Sequence, residues 1–108
     1  MVTNTIDVKI LEIIKTYITE ISKYYNIDNI ILFGSFANGS NHEDSDIDIA
    51  VISPDILDTI DDGAKLLSLT WGIDTRIEPH PINTNEFKNN ETPFIDEIIA
   101  TGVEIQVA

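Results

Sequence analysis

Asp46 and Asp48 stand two residues apart in Ser45-Asp46-Ile47-Asp48-Ile49-Ala50-Val51-Ile52, a run that is otherwise almost wholly apolar. If Ser45 to Ile52 is extended, residues i and i+2 share a face, so the two carboxylates project together while Ile47, Ile49 and Val51 point the opposite way. Acids held side by side on a rigid strand repel, and a fold keeps them most readily when a cation sits between them. Upstream, the apolar run Ile30 to Phe33 enters Gly34-Ser35 directly, and Gly39 follows in a polar loop. Glycine at that turn lets backbone N–H groups approach phosphate oxygens, and the neighbouring serine hydroxyl adds a donor. Strand, Gly-Ser, Gly and then a strand with two acids is far more specific than any of its parts. The chemistry it suits is phosphoryl or nucleotidyl transfer with a magnesium-bound nucleotide.

Blander readings of the same residues stand beside this one. An acidic chain often carries an exposed acidic edge, and Asp46 with Asp48 alone would fit that equally well. A calcium loop of the EF-hand type needs its acids in a loop with a defined Gly and a later Glu, whereas the interleaved apolar residues here indicate a strand. The spacing from Gly34 to Gly39 mimics part of a P-loop, but no Lys follows Gly39 and that reading fails.

The elements that must position these residues follow from periodicity. Ile6, Ile10, Ile13, Ile14, Tyr17, Ile18, Ile21 and Tyr24 recur every three or four residues, which predicts an amphipathic first helix capped by Thr3, Asn4 or Thr5. Ile30 to Phe33 is a short buried strand, Phe36 to Asn38 one helical turn, and Ser45 to Ile52 the second strand. Ile56, Ile60, Ala64, Leu67 and Trp71 fit a second helix with that stripe as its packed face, ended by Gly72. Ile73 to Glu78 alternates as a third strand that Pro79 stops, with Pro79-His80-Pro81 stiff and extended. A single turn at Thr84 to Phe87, a helix over Pro93 to Ala100 with Thr92 as cap, and a final strand from Val103 to Val107 complete the chain. The fold class is α/β, in α+β form: one domain over residues 1–108, with a small mixed sheet flanked by helices.

Composition narrows the function. With 43% hydrophobic and 23% charged residues the chain is globular in usage. It has no cysteine, so any metal must be held by oxygen or imidazole. Six Lys and Arg against 19 Asp and Glu give a net charge of −13, which disfavours direct nucleic-acid binding and suits a basic protein partner. No apolar run is long enough for a bilayer and no signal-peptide pattern opens the chain, so no membrane association is expected and the expected address is the cytoplasm.

GSFANGSNHEDSDIDIAV resembles the signature of the minimal nucleotidyltransferase domains of the polymerase beta superfamily: Gly-Ser, a few residues, Gly, a variable loop, then Ser-Asp-x-Asp. The resemblance covers most of the chain. It implies a nucleotidyltransferase fold that binds ATP with two Mg2+ ions, with Gly34, Ser35 and Ser45 at the nucleotide and Asp46 and Asp48 on the metals. The third acid of the family falls on Glu78, which then completes the metal site and takes the proton; Asp74 has the same strand parity and is the alternative. Glu78 is one methylene longer than the usual Asp, and Asn38 stands where many members carry Arg or Lys. Proteins of this minimal type are similar to antitoxins that transfer AMP to a hydroxyl of a HEPN-type toxin. Two other outcomes stay open: a binding module that neutralises a toxin by complex formation alone, and transfer to RNA or a small molecule. Homo-oligomerisation is left open as well.

The remaining singular residues have structural readings. His42 and His80 are expected at the surface or in packing, with His80 near enough to Glu78 to line the site. Trp71 is expected in the core, Tyr24 and Tyr25 in helix-end packing, and Arg76 in an ion pair.

Overall fold

Apolar periodicity in the first twenty-odd residues builds a helix, and the computed structural model, which describes residues 6–42 and 44–107, shows how it is fixed. Helix α1 (Val8–Ile21) starts at Asp7, whose carboxylate accepts the Lys9 N–H at 2.7 Å. The expected caps Thr3, Asn4 and Thr5 lie outside the described residues. Ile10, Ile14, Tyr17, Ile18 and Ile21 are buried, and the Tyr17 hydroxyl donates to the Leu66 carbonyl at 2.6 Å. The helix ends a turn before Tyr24, whose exposed ring lies under the Lys65 ammonium at 4.7 Å. Tyr25 is buried and donates to Asp62 Oδ1 at 2.8 Å.

The other elements are β1 (Asn29–Phe33), α2 (Ser35–Asn38), β2 (Ile47–Ser53), α3 (Thr59–Ser68), β3 (Ile77–Asn83), α4 (Thr84–Lys88), α5 (Pro93–Thr101) and β4 (Val103–Ile105). They form a mixed sheet in the order β3-β2-β1-β4, with β2 antiparallel to β1, β1 antiparallel to β4, and β2 parallel to β3. Strand alternation gives the sheet two apolar faces. Ile30, Leu32, Ile47, Ile49, Val51 and Ile77 face α1 and Leu66 of α3. Ile31, Ala50, Ile52 and Ile82 face Ile95 and Ile98 of α5. Each fully buried isoleucine contributes roughly 1.5–3 kcal/mol, so a sheet covered on both sides is the main source of rigidity for anything mounted on its strands. Among the described residues no helix is long and apolar enough to cross a membrane.

Two expectations are corrected. The third strand begins at Ile77 rather than ending at Glu78, and its ladder runs through Pro79 and Pro81. The Arg76 carbonyl accepts the Ile47 N–H at 2.8 Å, so by parity the even-numbered residues that follow turn their backbone groups toward β2 and the two prolines face outward. A proline costs no ladder bond on the outer row of an edge strand. Ile73 to Arg76 form the turn before it.

The second correction concerns α3. Ile56 of the expected stripe is buried, ahead of the helix, but the rest faces solvent, with Ile60 81% and Trp71 79% exposed and Ala64 and Leu67 also exposed. Leu66 is buried instead, and Gly63 brings the helix close to β3: a Cβ there would meet Pro81 Cγ at 3.6 Å. Leu66 and the small Gly63 therefore set the packed face, and the larger apolar side chains fall on the other. Trp71 lies beyond the last helical residue, Ser68. Strand β4 is also shorter than expected, ending at Ile105.

Candidate active site

Strand β1 delivers the chain to Gly34, which adopts φ 74 and ψ −152, a conformation open almost only to glycine. A Cβ at this position would also stand 2.5 Å from Asp48 Oδ2. Both the backbone turn and the close approach of the Asp48 carboxylate thus require glycine here. Ser35 opens the single turn of α2, and Gly39, at φ 81, closes it. The polar loop then returns to Ser45, which is buried; its hydroxyl accepts the His42 N–H at 2.9 Å and its own N–H donates to the His42 carbonyl at 3.0 Å. This two-bond closure fixes where the chain enters β2. His42 itself is exposed, as expected.

Asp46 is exposed and immediately precedes β2, whereas Asp48 is its second residue and only partly exposed. Asp48 stands opposite Phe33 on β1 and Glu78 on β3. Side-chain oxygens of Asp48 and Glu78 and a ring nitrogen of His80 lie within 4.8 Å of one another. The Glu78 carboxyl is pushed above the ordinary glutamate range, first by desolvation and then by the negative charges of Asp48 and Asp46, with His80 acting the other way. Glu78 thus sits among like charges, the crowding that the sequence expectation required.

The residues named from sequence divide clearly. Gly34, Asp48 and Glu78 meet, with Asp46 close enough to act on Glu78, and Ser35 and Ser45 fix the loop ends beside them. Asp74 lies in the turn before β3. Its carboxylate pairs with Arg76 at 2.8 Å and also accepts the Arg76 backbone N–H at 2.9 Å, which holds it below the ordinary aspartate range. Arg76 is therefore an ion-pair partner, as expected.

His80 lines the site, as its nearness to Glu78 allowed, although the expected strand end at Pro79 did not place it on the same strand. With the ladder continued through the edge prolines, His80 shares the face of Glu78 two residues away. Its ring packs against Phe33 at 4.9 Å and Phe94 at 5.8 Å. The Nε2 atom is buried and has no hydrogen-bond partner among the described residues, standing 3.5 Å from Asp48 Oδ1 and 3.8 Å from Glu78 Oε1. Carboxylate oxygens with an orphaned imidazole nitrogen are a donor set that fits a divalent cation. On the α5 side, beside Gly34, a cavity of about 240 Å³ is lined by Phe33, Asn38, Phe94, Glu97 and Thr101. Open space thus adjoins the glycine turn, walled by the same Phe33 and Phe94 rings that pack on His80.

Comparison with known proteins agrees with this geometry. The profile of the family described as Polymerase beta, Nucleotidyltransferase matches residues 6–107. A Methanocaldococcus jannaschii protein whose name assigns it, provisionally, as the protein adenylyltransferase MJ0141 is 33% identical over 101 residues, covering 90% of this chain and 99% of that one. The protein adenylyltransferase MntA of Shewanella oneidensis is 33% identical over 97 residues, covering 90% of this chain and 62% of that protein. Among solved structures, a toxin-antitoxin with AMP-PNP superposes with a TM-score of 0.63 at 25% identity, over 87% of this chain and 73% of that one. With a profile match over nearly its whole length, a relative matched end to end, and the mixed sheet carrying paired acids against a glycine turn, the chain belongs to the polymerase beta nucleotidyltransferase family.

Proposed function

We propose that this protein is an antitoxin that transfers AMP from ATP to a hydroxyl group of a partner toxin of the HEPN type, in the cytoplasm and with two Mg2+ ions. The observation that carries the reading is the in-register facing of Asp48 and Glu78 with Gly34 packed against the Asp48 carboxylate. The names of the relatives, protein adenylyltransferases, and the toxin-antitoxin likeness support the acceptor class.

Asp46, Asp48 and Glu78 hold the ions; bound there, divalent ions neutralise the triphosphate and lower the pKa of the attacking hydroxyl. Gly34 and Ser35 place the triphosphate, since a turn without a Cβ admits phosphate oxygens against its N–H groups. Ser45 keeps the loop closed so that Asp46 stays in reach. The acceptor oxygen attacks the α-phosphorus, the bond to the bridging oxygen of the β-phosphate breaks, and pyrophosphate leaves. Glu78, whose carboxyl is raised first by desolvation and then by the charges of Asp48 and Asp46, takes the hydroxyl proton. Positioning and charge neutralisation supply most of the acceleration in such transfers.

The test is co-expression with the toxin, followed by intact-mass measurement of the toxin and transfer of label from α-labelled ATP. A toxin heavier by one AMP with wild type, and unmodified with Asp46→Asn or Asp48→Asn of unchanged melting temperature or higher, is the expected result. Equal labelling by these variants overturns the mechanism.

A further inference from the structure

We propose that His80 is a direct ligand of one of the divalent ions, so that this site takes Mg2+ but prefers Mn2+ and related transition-metal ions through a mixed carboxylate-imidazole donor set. The inference rests on the proposed function, which requires a divalent cation at these acids.

A buried imidazole nitrogen ordinarily finds a hydrogen-bond partner, because leaving it without one costs the desolvation of a polar atom. His80 Nε2 has none among the described residues, although it stands 3.5 Å from Asp48 Oδ1 and 3.8 Å from Glu78 Oε1. The ring as a whole is partly exposed, but its Nε2 edge is turned inward, with the Phe33 and Phe94 rings beside it and its backbone opposite Ala50. The nitrogen is therefore aimed at the space between the two carboxylates. One cation there satisfies the orphaned nitrogen and relieves the repulsion of Asp48 and Glu78 together. These separations fall between the roughly 3 Å of adjacent ligands and the roughly 4.2 Å of opposite ones around an octahedral ion of bond length near 2.1 Å, so small side-chain shifts bring both oxygens and the nitrogen onto one ion.

Donor chemistry then sets preference. Magnesium takes oxygen ligands and dehydrates reluctantly, whereas imidazole favours later divalent ions, with affinity rising from manganese through cobalt. Neighbouring Pro79 and Pro81 stiffen the strand on either side of the ligand, which lowers the cost of presenting it.

The experiment measures binding of Mn2+, Co2+ and Mg2+ to the full chain with a non-hydrolysable ATP analogue, in wild type, His80→Gln and Asp48→Asn. Expected are nitrogen hyperfine coupling to bound Mn2+ by pulsed electron paramagnetic resonance and a Co2+ absorption spectrum altered in His80→Gln. That variant is expected to lose at least about tenfold in Mn2+ affinity while its Mg2+ affinity changes little. Bound Mn2+ without nitrogen coupling in wild type, a readout that needs no variant to fold, overturns the ligation of His80 and leaves the proposed function standing. Failure of wild type to bind any of the three ions overturns both, and loss of binding only in Asp48→Asn places the cation on the acids alone and overturns the inference.

Discussion

Replacing Glu78 with Gln should stabilise the metal-free protein. Donor atoms of Asp48 and Glu78 lie within 4.8 Å. At that distance two unit charges repel by about 1 kcal/mol in bulk water and about 3 kcal/mol at an effective dielectric of 20. Because Glu78 is about half exposed, solvent screening holds the gain near the lower figure, about 1 kcal/mol. For a domain of this size that corresponds to a rise of roughly 4–8 °C in melting temperature. The pH dependence has a defined sign. A carboxyl raised in the folded state binds more protons folded than unfolded, so its ionisation lowers stability as pH climbs from the ordinary glutamate range through the raised value. Glu78→Gln should therefore melt higher than wild type at neutral pH, and the gap should close below the carboxylate range, where Glu78 is protonated in both states. Adding a divalent cation with the ATP analogue should reverse the order, since only the wild type keeps the full ligand set. Melts by circular dichroism across pH, with and without Mn2+, measure all three. A metal-free variant that melts below wild type at pH 7 would refute the claim that these acids are held against their own repulsion.

Three further outcomes follow from single contacts. Gly34→Ala forces a side chain into a conformation costing about 1–3 kcal/mol and drives its Cβ against Asp48 Oδ2, so both the denaturant midpoint and Mn2+ affinity should fall. Tyr17→Phe leaves the Leu66 carbonyl unpaired in the core and should cost about 1–2 kcal/mol in urea unfolding without altering nucleotide binding. Ile60→Ser and Trp71→Ser remove side chains that face solvent, and each should change unfolding free energy by no more than about 0.5 kcal/mol; a loss of 2 kcal/mol or more would return them to the core.

Much of the site was legible because its signals are local. The i, i+2 spacing of Asp46 and Asp48, and a strand running into Gly34, need only the geometry of an extended chain and a turn. Helix α1 and the Thr92-Pro93 start of α5 were likewise visible, from periodicity and from a cap whose hydroxyl accepts the Ile95 N–H at 3.2 Å. What the sequence hid depends on neighbours far along the chain. Whether Pro79 ends a strand or sits on an edge is decided by which side of β3 pairs with β2, and no local pattern reports that. His80 was seen as near enough to Glu78 to line the site, but its place on the same strand face was hidden for the same reason. The face of α3 was misassigned because Ile60, Leu67 and Trp71 outweigh Leu66 in any periodicity, whereas Leu66 is the one that the fold buries and Gly63 the one beside Pro81.

The outer margin of β3 has a bearing on how this protein meets others. Between residues 77 and 81 that row offers no N–H to an incoming strand: the Ile77 amide already donates to the Asp74 carbonyl at 3.2 Å, and Pro79 and Pro81 carry none. The opposite margin, β4, is three residues long. Backbone zippering between copies, the usual hazard of an unprotected sheet, is thereby denied at the flank that carries the acids, and that flank must meet its visitors through side chains.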